Sequence, residues 1–108
     1  MTPDVTAAEL QTRLREDGTV LIQFWAEWCA PCRAMIPVVD AFAAEQEGQI
    51  SVVRVDLDQE PGVAADYRVI AVPAFAVATS AGVVDSWTGA MPPRAFAARV
   101  AQAFGRAA

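Results

Sequence analysis

The spacing of apolar residues changes several times along the chain, and each change marks an element. Thr6 and Glu9 stand at capping-box spacing, and Ala7, Leu10 and Leu14 follow at helical intervals until Asp17-Gly18 ends the run, which predicts a first helix. Residues 20–25 are almost continuously β-branched or aromatic, as in a strand covered on both faces, with Gln23 as the only polar member. Met35, Val38, Val39 and Phe42 predict a helix running out near Glu47-Gly48, and Pro37 inside it is expected to kink it. Residues 51–57 predict a second buried strand, and residues 61–67 a short helix opened by proline. Residues 74–79 and 83–87 are strand-like runs joined by Ser80-Ala81-Gly82, short enough for an antiparallel hairpin. Pro92-Pro93 then opens a last helix with Phe96, Val100, Ala103 and Phe104 on one face. The order α-β-α-β-α-β-β-α calls for an α/β fold, a mixed central sheet with helices on both faces. Many alanines let the layers approach closely, while Phe24, Phe42, Phe75, Phe96 and Phe104 fill the remaining volume.

A length of 108 residues predicts one domain spanning residues 1–108, and 55% hydrophobic residues suffice for its core. Thirteen acidic residues against eight arginines leave a net charge of −5, with no basic stripe to neutralise phosphates, which argues against nucleic acid as a partner. The absence of His and Lys removes imidazole bases, Schiff-base lysines and phosphate-loop lysines, and most hydrolase and kinase chemistry with them. Residues 1–5 have neither a basic flank nor an apolar run behind them, so no secretory signal is read and a cytoplasmic location is expected. The longest apolar stretch, residues 69–78, is about half of a membrane span and contains Pro73, so no membrane association is expected. A monomer is expected.

The chemistry concentrates in Cys29-Ala30-Pro31-Cys32, which holds both cysteines. If a helix begins at the first, one turn brings the second sulfur beneath it, and the pair can close a disulfide. Free backbone N–H groups and the helix dipole then favour the Cys29 thiolate, lowering its pKa from the free value of about 8.5 and making it the nucleophile. Cys32, a turn inside and shielded, is suited to attack second. Pro31 fits a first turn, where its missing N–H would be unpaired anyway. Two other readings stay open. A zinc site needs about four ligands, so carboxylates or a second chain would have to complete it. A purely structural disulfide across so small a loop would restrict the unfolded chain little.

The segment Phe24-Trp25-Ala26-Glu27-Trp28-Cys29-Ala30-Pro31-Cys32-Arg33 resembles the active-site segment of thioredoxins, and the similarity extends over nearly the whole chain. Further landmarks stand in register: Pro37, Val55-Asp56-Leu57-Asp58-Gln59-Glu60-Pro61, Val72-Pro73 and Thr88-Gly89-Ala90. The resemblance implies a thioredoxin fold with four to five strands and four helices. It implies a protein-disulfide reductase that binds no cofactor, carries a redox-active Cys29–Cys32 disulfide, acts on disulfide-containing client proteins, and is recharged by a flavin- and NADPH-dependent thioredoxin reductase. It further implies that Pro73 is cis and faces the cysteines, and that the Val72 backbone pairs with an extended client strand. Trp28, Ala30, Pro31, Ala71, Thr88, Gly89 and Ala90 would line the groove. Plain packing is the competing account of each rim residue, and Trp25 is expected to be a core residue beside the site.

The chain departs from that pattern at four positions. Thioredoxins usually carry a buried Asp at the place of Gln23 and a Lys at the place of Arg54, a pair that helps move the proton of the second cysteine. Neither Gln nor Arg acts as a conventional base near neutral pH, so a water or another carboxylate has to substitute, unless Gln23 is simply a strand residue. Ala30 replaces the commonest glycine, and Arg33 replaces lysine while keeping a positive charge near Cys29. Two other functions fit these residues: a thiol oxidant or isomerase of an oxidising compartment, and a binding module that uses the groove without turning over disulfides.

Overall fold

A computed structural model describes residues 2–107, with elements in the predicted order. They are α1 (Ala7–Asp17), β1 (Val20–Trp25), α2 (Ala30–Glu45), β2 (Ser51–Asp56), α3 (Pro61–Asp66), β3 (Ala74–Thr79), β4 (Gly82–Thr88) and α4 (Pro93–Ala107). The capping box forms: the Thr6 hydroxyl accepts the Glu9 N–H at 3.2 Å, and the Glu9 carboxylate accepts the Thr6 N–H at 2.9 Å. Boundaries shift by a residue or two. The second helix stops at Glu45, where Gln46 closes it by donating its N–H to the Phe42 and Ala44 carbonyls. Pro37 lies inside α2, whose span continues through it.

The sheet order is β2-β1-β3-β4, with β1 parallel to β2 and antiparallel to β3, and β3 antiparallel to β4. Among the described residues the sheet has four strands, the lower of the two expected counts. The chain before α1 touches the free edge of β2 at a single parallel bridge, Asp4 to Arg54. Val5 N–H donates to the Arg54 carbonyl and Arg54 N–H to the Pro3 carbonyl, both at 2.8 Å, but Pro3 has no N–H with which to extend the ladder.

Strand alternation divides the core between the two faces of the sheet. Val20, Ile22 and Phe24 of β1 join Leu10 and Leu14 of α1 and Val63 of α3 in one cluster, together with Val53, Val55, Ala74, Ala76 and Ala78. On the other face, Leu21, Val52, Phe75 and Val77 meet Met35, Val39 and Phe42 of α2 and Phe96, Val100 and Ala103 of α4. Phe96 packs edge-on to Phe42 with ring centroids 5.5 Å apart and tilted against Phe75 at 5.1 Å, so it locks α4 to both α2 and the sheet. Beyond it, Trp87 stacks on Phe75 at 5.6 Å and carries the Arg99 guanidinium 4.4 Å above its ring. Arg99 is held there by Asp85 at 2.6 Å. No helix among the described residues is long and apolar enough to cross a membrane.

Phe96 is fully buried, so Phe96→Ala is expected to cost about 3–5 kcal/mol in urea denaturation. Val83→Ala, at a half-exposed position on the edge strand, is expected to stay within about 0.5 kcal/mol of the parent.

Candidate active site

β1 delivers the chain at the carboxyl end of the sheet, and a short turn converts it into α2. Trp25 ends the strand, Ala26 is fully buried, and the Ala26 carbonyl accepts the Cys29 N–H at 3.1 Å. Cys29 keeps an extended backbone, φ −93° and ψ 104°, and is the N-cap of α2. Its sulfur accepts the Cys32 N–H at 3.2 Å, the bond that a serine or aspartate oxygen would make at a conventional cap. Ala30 and Pro31 form the first two helical positions, where the missing proline N–H leaves no intrahelical bond unmade. The first turn contains no acidic residue to offset the positive end of the helix.

Cys29 and Cys32 are joined by a disulfide, with Cα atoms 5.2 Å apart. Their environments differ: Cys29 retains 5% of its surface in contact with solvent, Cys32 none. Ala26, Trp25, Leu57 and Val72 pack around the pair. Trp25 packs beside the site but is only partly buried, not the core residue expected, because its indole N–H reaches outward to donate to Asp4 at 2.7 Å.

The landmarks quoted for the groove converge on this turn. The Val72-Pro73 peptide bond is cis, and Val72 packs against the cysteine cluster. The Pro73 carbonyl accepts the Gly89 N–H at 2.9 Å, which ties the proline loop to Thr88, Gly89 and Ala90 after β4. Gly89 has φ 105°, a backbone state that a side chain would strain. Ala30, Pro31, Ala71, Thr88 and Ala90 are exposed. Trp28 is 66% exposed, so it does not fill the core, and its indole N–H donates to Asp58 at 2.8 Å. Arg33 donates to the Glu27 carbonyl, holding its charge beside the turn.

Gln23 and Arg54 face one another across the β1–β2 ladder, and both are buried. Arg54 Nε donates to Gln23 Oε1 at 2.8 Å, Nη1 to the Thr2 carbonyl at 3.2 Å, and Nη2 to Asp40 Oδ1 at 3.1 Å. Burial pushes the Asp40 carboxyl up, but hydrogen bonds from Thr2 and Arg54 and the Arg54 charge outweigh it and hold the group below the ordinary carboxylate range. Asp40 is therefore the carboxylate of this network, yet it bonds to the guanidinium and not to a sulfur.

Sequence reasoning did not single out Asp40, Asp58 or Ile70. Asp40 was detectable only as an acidic residue interrupting the apolar face of α2. Ile70 is 97% exposed two residues before Val72. Arg68 adopts φ 56°, a turn state uncommon for a residue with a side chain, and one-dimensional periodicity carries no sign of it. A surface cleft lined by Arg13, Asp17, Glu47 and Ser51 lies at the start of β2, the opposite end of the strands from the cysteines. Among the described residues no group of three or more Cys, Asp or Glu is placed to hold a metal ion.

A mixed sheet between two helix layers, with a Cys-x-x-Cys disulfide capping the helix after an interior strand, defines a thiol–disulfide oxidoreductase. The thioredoxin family model matches residues 2–102. The chain is 43% identical over 82 residues to a thioredoxin of Porphyra purpurea, covering 76% of this chain and 77% of that one. Thioredoxin 1 of a Nostoc species matches at the same identity and coverage. A Staphylococcus aureus thioredoxin is 36% identical over 88 residues, 82% of this chain and 84% of its own. The chain belongs to the thioredoxin family.

Because Asp40 is held below its unfolded value, it contributes stability that is present above the unfolded pKa and is lost as pH falls through the folded one. Asp40→Asn is expected to lower stability near neutral pH by about 1 kcal/mol, given its partial exposure. The gap from wild type is expected to close below about pH 4, as followed by urea titrations across pH.

Proposed function

We propose that this chain is a protein-disulfide reductase acting on disulfide-containing client proteins, working as one domain over residues 1–108. The observation that carries the reading is the asymmetry of the cysteine pair: Cys29 caps the helix with a trace of solvent access, and Cys32 is wholly buried beneath it. In the reduced protein the helix N-terminus favours a thiolate at Cys29. That thiolate attacks one sulfur of a client disulfide, the client S–S bond breaks, and the departing client sulfur takes a proton. Cys32 then loses its proton and attacks the Cys29 sulfur. This releases the second client thiolate and leaves the Cys29–Cys32 disulfide, so two electrons have passed to the client.

The client lies as an extended strand against the Val72 backbone, with Pro73 facing the cysteines. Trp28, Ala30, Pro31, Ala71, Thr88, Gly89 and Ala90 form the rim, and Arg33 keeps a positive charge beside Cys29. Exposure of Trp28 supports this role over core filling. Recharging falls to an NADPH-dependent thioredoxin reductase, so the chain itself binds no cofactor. We place the protein in the cytoplasm as a monomer, with Gln23 and Arg54 modulating the exchange.

Insulin-disulfide reduction coupled to NADPH and a thioredoxin reductase tests the reading. Wild type is expected to precipitate the insulin B chain while consuming NADPH. Cys29→Ser is expected to be inactive, and Cys32→Ser to stall as a mixed disulfide visible on a non-reducing gel. Undiminished turnover by Cys29→Ser contradicts the mechanism.

A further inference from the structure

On β1, Val20, Ile22 and Phe24 face α1, so Leu21, Gln23 and Trp25 share the face under α2. Leu21 packs with Met35 and Val39 of that helix, and Trp25 packs with Cys29 and Cys32. Gln23 lies between them, about 7 Å along the strand from either. It is fully buried. Arginine has donors only, so the amide atom 2.8 Å from Arg54 Nε is necessarily the oxygen. Arg54 is pinned at three points, on Gln23, the Thr2 carbonyl and Asp40, so the amide cannot flip without breaking this arrangement. Its nitrogen is consequently the end left over, and Gln23 Nε2 is buried with no hydrogen-bond partner among the described residues.

We infer that Gln23 is a positioning residue for the redox reaction, presenting an amide N–H that stabilises the negative charge of the cysteine pair once it is reduced, directly or through one water. The inference rests on the Cys29–Cys32 exchange proposed above. Reduction breaks the S–S bond with two electrons from a partner dithiol, and the sulfur that leaves carries a negative charge until solvent protonates it. A disulfide is a weak acceptor and a thiolate a strong one, so the donor gains more from the reduced form than from the oxidised one. A buried carboxylate at the same place would repel the thiolate; the amide does the opposite. The charged groups on β2 and α2 are Arg54 and Asp56 of the strand and Arg33, Asp40 and Glu45 of the helix, with Asp4 before α1 and Asp58 after β2 on the adjoining segments, while β3 opposes Gln23 with Phe75.

The test is the ratio of dithiol to disulfide form in a dithiothreitol redox buffer, measured on the whole chain at about pH 8 and about pH 5. Gln23→Met removes the donor without adding charge and is expected to shift the ratio toward disulfide roughly tenfold at the higher pH and not at the lower, where both thiols are protonated. Gln23→Glu keeps an acceptor for Arg54 and is expected to shift it the same way, so the test stands if the Met variant does not fold. A merely structural role would change the stability of both redox forms together and leave the ratio alone. Ratios within about twofold of wild type at both pH values, or a shift toward dithiol, overturn the inference. Failure of the wild-type disulfide to open and reclose in the buffer defeats the exchange reading instead.

Discussion

At the start of α2 a sulfur atom takes the position that a helix ordinarily gives to a capping oxygen. A helix leaves its first amide N–H groups without internal partners, and the Cys29 sulfur meets one of them, the N–H of Cys32. The same contact fixes the spacing of the two cysteines, because the residue three positions beyond a cap lies one turn down, facing it. Capping geometry and disulfide geometry are thus satisfied by one local conformation. From it follow the unequal burial of the two sulfurs, the positive field at the first, and the suitability of Ala30 and Pro31 for the turn between them.

That turn is held in place from below. β1 is an interior strand, paired on both sides in the ladder and covered by helices on both faces, so its carboxyl end is a well-anchored point from which to launch α2. The proline loop reaches the same place from β3, and its carbonyl is tied to Gly89 beyond β4. The turn, Leu57 after β2 and Val72 before the cis proline, three separated stretches of chain, therefore pack together around the disulfide. Within this frame the Gln23–Arg54–Asp40 network introduces polarity at a price: among the described residues the buried amide nitrogen has no partner, and a fixed orientation is what the arrangement secures.

Much of this was legible in the residue order because the dominant constraints are local. The Thr6–Glu9 box, the unbroken apolar run of β1 and the amphipathic spacing of α4 each specify an element by itself, and alternation assigns β1 residues to opposite clusters. The cysteine spacing carries the site chemistry in the same local way. The landmarks around Val72 and Gly89 were legible only through the family resemblance, since nothing in their own neighbourhoods shows that they meet. What periodicity could not convey is pairwise and tertiary: that Arg54 turns inward to Gln23, that Asp40 reaches it from α2, and that Pro3 limits the edge contact to one bridge. The outward placement of Ile70 was equally hidden, because an exposed isoleucine inside an apolar run reads as core until the chain is seen to turn at Arg68.

The most direct test of the capped-cysteine account is the alkylation rate of each thiol in the reduced, folded protein, followed by mass spectrometry across pH. Cys29 is expected to react near neutral pH at least about a hundredfold faster than Cys32, an advantage that disappears in denaturant. Two thiols of equal, ordinary reactivity in the folded state would contradict it.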